Sequence, residues 1–376
     1  FHHLKNRINF PFIFTRHKDF PSRSGGVEVV VCELATRLAK LGVDVTVYNR
    51  GREKGHNKYK AMGVNVIRSR TFKNQSLNAM VYSFTATFNA LFHNYDIIHY
   101  HAIGPSVPLV IAHFFGKKTV STVHGLNWKV DKWSSFASRY LKLGERIAAK
   151  YADEVITLSD EMHEYFLKEY NRDTCLIKNA VSPIKKTEDD LIKEKFGLTK
   201  GEYILYVGRI SPEKGVQDLI SAYKKANLKE KLVIAGEVPD GGFGDEVRKL
   251  SGGDETIVFA GFSQGEMLAS LYSNAALYVL PSHTEGLALT LLEALSAGAN
   301  CLVSDIPENT AVLKNFGRTF KSGDVDDLKN MLETSVSIKM TDDEKEEEKR
   351  YIKENYSYDK VVKEHLSLYK RITKKG

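Results

Sequence analysis

Residues 281–297 read PSHTEGLALTLLEALSA and follow a short apolar run, Ala275–Leu280. The run predicts a strand, the segment up to Gly286 predicts a turn, and the spaced leucines after it predict an amphipathic helix that ends at Gly298. The N-terminus of a helix presents unpaired N–H groups and a partial positive charge, which suit an anion such as phosphate. This stretch therefore predicts a strand, loop and helix unit with an anion site where the helix begins.

Two carboxylates and a glycine give this unit its chemistry. Gly286 has no Cβ, so a ligand can approach the backbone closely. We place Glu285 in the loop and Glu293 about one turn inside the helix, so that one carboxylate flanks a bound phosphate and the other lies at the distance of a sugar hydroxyl. An ordinary surface turn with two solvated acids explains the same residues, and this segment alone does not decide between the two readings.

A second loop of the same kind lies earlier in the chain. The strand-like run Tyr203–Val207 leads into Gly208-Arg209-Ile210-Ser211-Pro212-Glu213-Lys214-Gly215, and a helical pattern, Val216–Ala226, follows. Arg209 can clamp phosphate oxygens in bidentate fashion, and Lys214 supplies a mobile point charge. Ligands of open α/β sheets bind outside the carboxyl ends of the strands, where both loops fall. The loops together would neutralise a diphosphate, unless these cations are solvated charges on a surface turn.

Strands alternate with helices along the whole chain, which is typical of a doubly wound parallel sheet. The β-rich runs form two series, separated by the polar stretch Ser182–Lys200. The first series is Ile8–Phe14, Val43–Tyr48, Asp96–Tyr100, Thr119–Val123 and Glu154–Leu158, and the second is Tyr203–Val207, Leu232–Ala235, Thr256–Phe259, Ala276–Leu280 and Asn300–Val303. We expect two Rossmann-like α/β domains facing across a cleft, residues 1–185 and 186–355. A solvated acid-rich helical tract is expected at Lys339–Lys349, and residues 356–376 are expected to form a terminal helix that can return to the first domain.

The net charge of +7 is unevenly distributed. Residues 1–180 hold 26 Lys and Arg against 15 Asp and Glu, whereas the remainder holds 28 against 32. Nucleic acid, an anionic membrane surface or a phosphorylated substrate would each suit a basic first half. Three widely spaced cysteines, Cys32, Cys175 and Cys301, favour reduced thiols in a cytosolic protein over a disulfide framework, and no Cys/His cluster predicts a metal site.

The two loops together resemble a known family, the retaining glycosyltransferases of family 4, which have the GT-B fold. The resemblance rests on Glu285 and Glu293 with seven residues between them, beside the loop from Gly208 to Gly215. Weaker motifs follow in the family's order over nearly the whole chain: Ser24-Gly25-Gly26, His124-Gly125, Leu158-Ser159-Asp160, Asn179-Ala180-Val181, Phe259-Ala260-Gly261-Phe262 and Tyr278-Val279-Leu280-Pro281-Ser282. Arg23–Glu28, His124–Trp128 and Ser304–Asn309 are similar to the subset that builds bacterial capsular and exopolysaccharides. The chain departs from the family at Ala180, where Gly is usual, and at Ala288, where Gly or Pro is common.

The resemblance implies roles for residues of the second domain. Arg209 and Lys214, with Gly208 beside them, would hold the donor diphosphate. Glu293 would bind the ribose hydroxyls, and Glu285 would lie near the transferred sugar. The remaining donor-binding positions are backbone ones: the amides of Leu287 and Ala288 after Gly286 would cap the phosphate, and Gly261 and Phe262 would lie against the base.

The resemblance also implies two sites in the first domain. His124 would reach toward the donor sugar, although a histidine after a strand is by itself more often structural. Gly25 and Gly26 would form an acceptor or phosphate loop, although a tight turn that opens a helix explains them equally.

The function that the resemblance implies is a retaining hexosyltransferase that uses a nucleotide-diphosphate sugar and needs no metal or other cofactor. Its acceptor would be a saccharide or a polyprenyl-diphosphate-linked saccharide in surface polysaccharide biosynthesis. We expect a cytoplasmic protein that can lie at the inner face of the cell membrane, because one segment interleaves aromatics with cations as interfacial helices do. Its residues are Trp128, Lys129, Lys132, Trp133, Phe136, Arg139, Tyr140, Lys142 and Arg146. A solvated helix with a buried aromatic side explains the same pattern.

Other functions remain open on the same fold. A nucleotide-sugar epimerase would want further acid and base groups around the sugar, and a phosphorylase would want a pyridoxal-binding lysine; neither is identifiable. An inactive nucleotide-sugar-binding module is disfavoured because Glu285, Glu293, Arg209 and Lys214 are all present. Nucleic acid is a poor partner because no recognition motif accompanies the charge, and a nicotinamide dehydrogenase is disfavoured because no GxGxxG follows the first strand.

Overall fold

The chain divides into two compact units. The computed structural model describes residues 9–13, 20–22, 25–51, 58–70, 75–125 and 135–374, with the backbone alone at 9–13, 51, 70 and 75–79. One unit consists of Phe1–Asn179 together with Tyr358–Gly376, and the other consists of Ala180–Ser357. The units divide at 179/180 and 357/358, which is six and two residues away from the boundaries predicted from the sequence, 185/186 and 355/356.

The first unit is built on one sheet with strand order β3-β4-β2-β1-β5-β6-β7-β8. Its strands are β1 Asn9–Ile13, β2 Asp44–Gly51, β3 Lys58–Ala61, β4 Val64–Arg70, β5 Ile97–His101, β6 Lys118–Val123, β7 Glu154–Thr157 and β8 Cys175–Leu176. Its helices are α1 Gly26–Lys40, α2 Gln75–Leu91, α3 Leu109–Phe114, α4 Ser135–Tyr151 and α5 Asp160–Tyr170, with α14 Tyr358–Lys374 joining them from the end of the chain. Neighbouring strands are parallel except β3 and β4, whose hairpin the sequence pattern did not predict.

The second unit contains a fully parallel sheet with strand order β11-β10-β9-β12-β13-β14. Its strands are β9 Tyr203–Val207, β10 Lys231–Ala235, β11 Ile257–Phe259, β12 Leu277–Leu280, β13 Cys301–Ser304 and β14 Gly317–Phe320. Its helices are α6 Asp190–Phe196, α7 Val216–Lys225, α8 Phe243–Ser251, α9 Gly265–Asn274, α10 Leu289–Ala297, α11 Pro307–Leu313, α12 Val325–Ser335 and α13 Asp342–Asn355. Chain order reverses between β9 and β12, so the unit is doubly wound with its switch point at that pair.

Strand β9 shows why this sheet is covered on both faces. Successive side chains of a strand point to opposite faces. Tyr203, Leu205 and Val207 pack with residues of α10 in one core. Ile204 and Tyr206 pack with residues of α7 and α12 in a second core. A strand buried on both faces reads as a continuous apolar run, which is why the sequence predicted β9 at its observed bounds.

The acid-rich tract expected to be a solvated helix is only partly so. It forms α13, which begins with a capping box between Thr341 and Glu344. Glu348 on this helix is fully buried, because α13 packs on α10. The expectation of a solvated tract was therefore wrong at Glu348.

Helix α4 carries the part of the expected interfacial segment that the structure describes. Phe136, Arg139 and Arg146 are exposed. Lys142, another cation of that segment, instead turns inward, where its Nζ lies 2.9 Å from the buried Glu145 carboxylate and 2.6 Å from the Tyr165 hydroxyl. Trp128, Lys129, Lys132 and Trp133 lie outside the described residues. In the part of the chain that the structure describes, no helix is long and apolar enough to cross a membrane.

Candidate active site

The loops after β9 and β12 lie side by side because these strands are parallel neighbours in the sheet, with Ile204 paired to Leu277 and Leu205 to Tyr278. Gly215 brings the loops into contact. It has a φ of +68°, and a Cβ built on it would lie 2.0 Å from the carbonyl oxygen of Pro281. Only glycine meets both requirements without strain. The last glycine of the predicted phosphate loop thus also holds the two loops together.

A mostly buried ion pair joins the loops. Lys214 Nζ lies 2.6 Å from Glu285 Oε1, and the two side chains are 17% and 7% exposed. Ser282 Oγ donates to the same carboxylate oxygen at 2.7 Å. An ammonium has three N–H donors, so this pairing leaves Lys214 with donors for a second anion. The structure therefore brings together two residues to which the sequence gave neighbouring roles.

A second polar contact, which the sequence did not predict, joins the same loops. The backbone N–H of His283 donates to the carbonyl of Glu213 at 3.0 Å, and His283 Nε2 lies 2.6 Å from Asp218 Oδ2 on α7. His283 and Asp218 are far apart in sequence and belong to no motif. Their contact follows only from the strand order, which is why sequence reasoning missed them.

Arg209 lies at the open side of the β9 loop. Its side chain is 52% exposed, and Nη2 lies 3.7 Å from Glu213 Oε1. The hydroxyl of the buried Tyr206 donates to the Arg209 carbonyl at 2.8 Å, which holds the backbone at this residue. Gly208 lies against the same tyrosine, because a Cβ there would lie 2.8 Å from the Tyr206 hydroxyl. The guanidinium is thus accessible on a fixed backbone.

Helix α10 places Glu293 as the sequence predicted, one turn from its start at Leu289. Glu293 is half-buried, and the hydroxyl of Tyr272 on α9 donates to its Oε2 at 3.0 Å. Ala288 is the extended residue before the helix and gives it no side-chain cap. The first N–H groups of a helix have no partner within it, so the backbone from Gly286 to α10 is suited to an anion.

Gly261 and Phe262 follow β11, which is separated from β9 by β10. Gly261 has a φ of +64°, and Phe262 is 52% exposed. Parallel strands end along one edge of the sheet, so these residues lie on the same edge as the β9 and β12 loops. An exposed aromatic ring there offers a stacking surface for a planar group.

The first unit holds the other predicted positions. Gly25 is the extended residue that precedes α1, and Gly26 is the first residue of that helix. His124 directly follows β6, and its Nε2 lies 3.0 Å from Nδ1 of His101. Burial, followed by the neighbouring His365, lowers the pKa of His124 to about 3. The His124 ring is therefore neutral at pH 7.

Models of two protein families match the chain. A model described as "Glycosyltransferase Family 4" matches residues 24–184, and a model described as "Glycosyl transferases group 1" matches residues 188–358. The chain belongs to the glycosyltransferases. The first match lies almost wholly in the first unit and the second almost wholly in the second unit, and together they include the β9 and β12 loops and His124.

Curated relatives are also named glycosyltransferases, and a solved structure has the same fold. An uncharacterized glycosyltransferase of Methanocaldococcus jannaschii is 27% identical over 235 residues, 59% of this chain and 60% of that protein. The UDP-Gal:alpha-D-GlcNAc-diphosphoundecaprenol alpha-1,3-galactosyltransferase of Escherichia coli is 28% identical over 268 residues, 66% of this chain and 67% of that protein. The sucrose-phosphate synthase structure from Thermosynechococcus elongatus superposes with a TM-score of 0.82 at 20% identity, covering 98% of this chain and 100% of that one. The glycosyltransferase thus has the GT-B fold that the sequence predicted, while the matched region spans 60% of the first of these relatives.

Proposed function

We propose that this glycosyltransferase moves a hexose from a nucleotide-diphosphate sugar to a saccharide or lipid-linked saccharide acceptor. The observation that carries the proposal is the joining of Lys214 and Glu285 where β9 and β12 end, at the switch point of the second unit. A cation, a carboxylate and an uncapped helix start meet there, as recognition of a sugar diphosphate requires. The name of the E. coli relative, which specifies a UDP-sugar donor and a diphosphate-linked acceptor, supports the same class of substrates.

The diphosphate is the leaving group, and its negative charge grows as the bond to the sugar breaks. Lys214 keeps N–H donors beyond the one that meets Glu285, and the exposed Arg209 guanidinium can bind two phosphate oxygens at once. The amides of Leu287 and Ala288 add partial positive charge at the start of α10. One preorganised donor of this kind contributes about 3–4 kcal/mol to the transition state. These groups suffice for a reaction without a metal, which we propose as part of the function.

We propose that the anomeric configuration is retained through internal return. Glu285 is a poor nucleophile because its Oε1 pairs with the Lys214 ammonium and also accepts a hydrogen bond from the Ser282 hydroxyl. The bond from the sugar C1 to the phosphate oxygen breaks first and gives an oxocarbenium-like centre. The acceptor oxygen then bonds to C1 on the face that the phosphate left, and its proton passes to the departing phosphate oxygen. The products are the glycoside and the nucleoside diphosphate.

We propose for the remaining residues the roles that the resemblance to the family implies. Glu293 binds the ribose hydroxyls from one turn inside α10, and Gly261 and Phe262 contact the base. His124 contacts the transferred sugar as a neutral hydrogen-bonding group, while Gly25 and Gly26 serve the acceptor.

A lipid-linked acceptor suits the exposed face of α4. Along this helix Phe136, Arg139, Leu143, Arg146 and Lys150 recur at helical spacing and are exposed. The set contains three cations, two large apolar residues and no acid, a combination that favours an anionic membrane surface. We propose that the protein works at the cytoplasmic face of the membrane in surface polysaccharide biosynthesis.

Flotation with anionic vesicles tests the membrane proposal. The double variant Arg139→Glu/Arg146→Glu should no longer float with the vesicles, whereas the control Lys225→Glu should still float. Failure of the wild-type protein to float would contradict the membrane proposal.

The test of the reaction is direct. The protein is incubated with UDP-, dTDP-, GDP- and ADP-hexoses and a set of saccharide acceptors, in EDTA or in magnesium. Release of nucleoside diphosphate and the NMR coupling constant of the anomeric proton are measured. We expect an acceptor-dependent release that survives EDTA and a product with the donor's anomeric configuration. An inverted product, or an epimerised donor without transfer, would overturn the proposal.

A further inference from the structure

Four histidines and a tyrosine of the first unit lie next to each other on one face of its sheet. His99 and His101 are two apart on β5 and therefore share a face. His365 and Tyr369 are four apart on α14 and share a helix face. His124, the fifth member, follows the neighbouring strand β6. Within the described ranges these side chains form no group with metal-binding geometry, so their role has to be sought in their contacts with each other.

Successive side-chain contacts connect Tyr369 on α14 to His124. The Tyr369 hydroxyl lies 2.7 Å from His99 Nδ1, and Thr122 Oγ1 lies 2.7 Å from His99 Nε2, so hydrogen bonds fix the His99 ring at both nitrogens. The ring of His101 stacks on that of His99 with centroids 4.2 Å apart. His101 is 1% exposed, which leaves its ring little room to turn.

His101 in turn holds His124. Its Nδ1 lies 3.0 Å from His124 Nε2, and the ring centroids are 5.3 Å apart in a stacked arrangement. In a hydrogen bond between two ring nitrogens, one carries the proton and the other accepts it. A neutral imidazole has one N–H, so the bond at Nε2 decides whether His124 Nδ1 is a donor or an acceptor.

We propose that His101 is a positioning residue for His124: it fixes the orientation and tautomer of the His124 ring and presents the ring's Nδ1 to the substrate. The link to catalysis rests on the proposed contact between His124 and the sugar. The link between the two histidines rests on the geometry alone. Helix α14 acts as the support of this arrangement, because Tyr369 fixes the ring on which His101 stacks.

Two substitutions separate positioning from space filling. His101→Phe keeps an aromatic ring against His99 but removes the hydrogen bond to His124. His101→Asn loses the ring but keeps a polar atom close to the position of Nδ1. His113→Phe is the control, because His113 is an exposed histidine of α3 whose ring contacts Tyr151 rather than this cluster. Thermal melting identifies any variant that does not fold.

The readout is the ¹⁵N spectrum of the His124 ring in histidine-labelled protein, assigned by its loss in His124→Gln. We expect one tautomer in the wild type and in His113→Phe, and a mixture of tautomers in His101→Phe with recovery toward one form in His101→Asn. A His124 spectrum that His101→Phe leaves unchanged would overturn the proposal. Should His101→Phe not fold, a His101→Asn spectrum with mixed tautomers and unchanged donor affinity would also count against it.

Kinetics supply the second readout. His101→Phe should lower kcat by about tenfold or more with a smaller change in KM, because a misplaced group costs mainly transition-state contacts. In the His124→Ala background the same change should have no further effect. Additive losses in the double variant would overturn the proposal. If the wild type transfers no sugar, the proposed function fails by itself, whereas the ring spectrum still tests the link between His101 and His124.

Discussion

Lys214 Nζ and Glu285 Oε1 lie 2.6 Å apart where the loops after β9 and β12 meet. The two residues are 71 positions apart in sequence, and only the strand order of a doubly wound sheet makes them neighbours. Breaking a fully buried pair leaves the remaining charge uncompensated and costs about 3–5 kcal/mol, and the cost is smaller for a partly exposed pair such as this one. This pair therefore helps to hold the loops in place, besides the role in donor binding that we propose for it.

Gly215→Ala should separate the loops. A Cβ would lie 2.0 Å from the Pro281 carbonyl oxygen in a backbone with φ of +68°. Gly241→Ala is a matched control, because its φ is +69° and a Cβ there would meet nothing within 4 Å. The control should lose only about 1–2 kcal/mol of stability, which is the cost of placing a residue with a side chain in the left-handed backbone region. In urea unfolding we expect Gly215→Ala to lose clearly more stability than the control and to bind nucleotide more weakly; equal losses would contradict the role given to this glycine.

Tyr272→Phe should loosen Glu293. The hydroxyl of the buried Tyr272 donates to Glu293 Oε2 at 3.0 Å, and a hydrogen bond to a charged group contributes about 1.5–3 kcal/mol. Tyr203→Phe is the control, because that buried hydroxyl donates to the Leu271 carbonyl at 2.6 Å and meets no carboxylate. We expect both variants to lose stability, while only Tyr272→Phe weakens nucleoside diphosphate binding by calorimetry. Unchanged binding in Tyr272→Phe would show that Glu293 does not need this support.

The second unit should lose stability as the pH rises. Burial, followed by the nearby Glu344, raises the pKa of Glu348 from 4.5 to about 9. Above pH 4.5 the unfolded chain releases a proton that the folded state keeps, so stability falls up to about pH 9 by at most about 1.4 kcal/mol per pH unit. Glu348→Gln should reduce this pH dependence of stability, whereas Glu347→Gln, on the exposed face of α13, should leave the pH dependence unchanged. Hydrogen exchange of α10 and α13 peptides between pH 5 and 9 measures it, and parallel slopes in all three proteins would refute the assignment.

The first unit should show the opposite dependence. Burial is the main cause that lowers the pKa of His124 to about 3 and of His365 to about 4, and it lowers the pKa of His99 as well. Below pH 6.5 the histidines of the unfolded chain bind protons that the folded state does not bind. The stability of the first unit therefore decreases as the pH is lowered, by up to about 1.4 kcal/mol per pH unit for each ring. Hydrogen exchange of β5 and α14 peptides, compared from pH 6.5 down to pH 4, reports the stability of this unit. His365→Gln should reduce the slope between pH 6.5 and 4; an unaltered slope would remove His365 from the account.

The sequence predicted the strands and loops that local patterns determine. The continuous apolar run of β9 and the glycine at the end of α10 allow one interpretation each, and Glu293 lies one turn inside its helix as expected. The short hairpin of β3 was missed because its four residues, KYKA, are too few for a clear alternation.

The contacts that complete the site depend on which strands become neighbours. Tyr272, His283 and His101 read as ordinary helix, loop and strand residues, because their partners lie on other elements. Glu348 was interpreted as solvated because its neighbours in sequence are acidic, and only the packing of α13 on α10 buries it. Local sequence carries no signal for these contacts.

The proposed function requires that Arg209, Lys214 and the start of α10 bind a nucleoside diphosphate. Calorimetric titration of UDP, dTDP, GDP and ADP in EDTA tests it most directly, with the wild type, Lys214→Ala, Arg209→Ala and Lys225→Ala. Lys225 is the matched control because its pair with Asp326 is exposed. We predict that one nucleotide binds best, that each of the first two variants loses about tenfold or more in affinity, equivalent to about 1.4 kcal/mol, and that Lys225→Ala binds like the wild type. Absence of binding by all four nucleotides, or undiminished binding by Lys214→Ala and Arg209→Ala, would contradict the account.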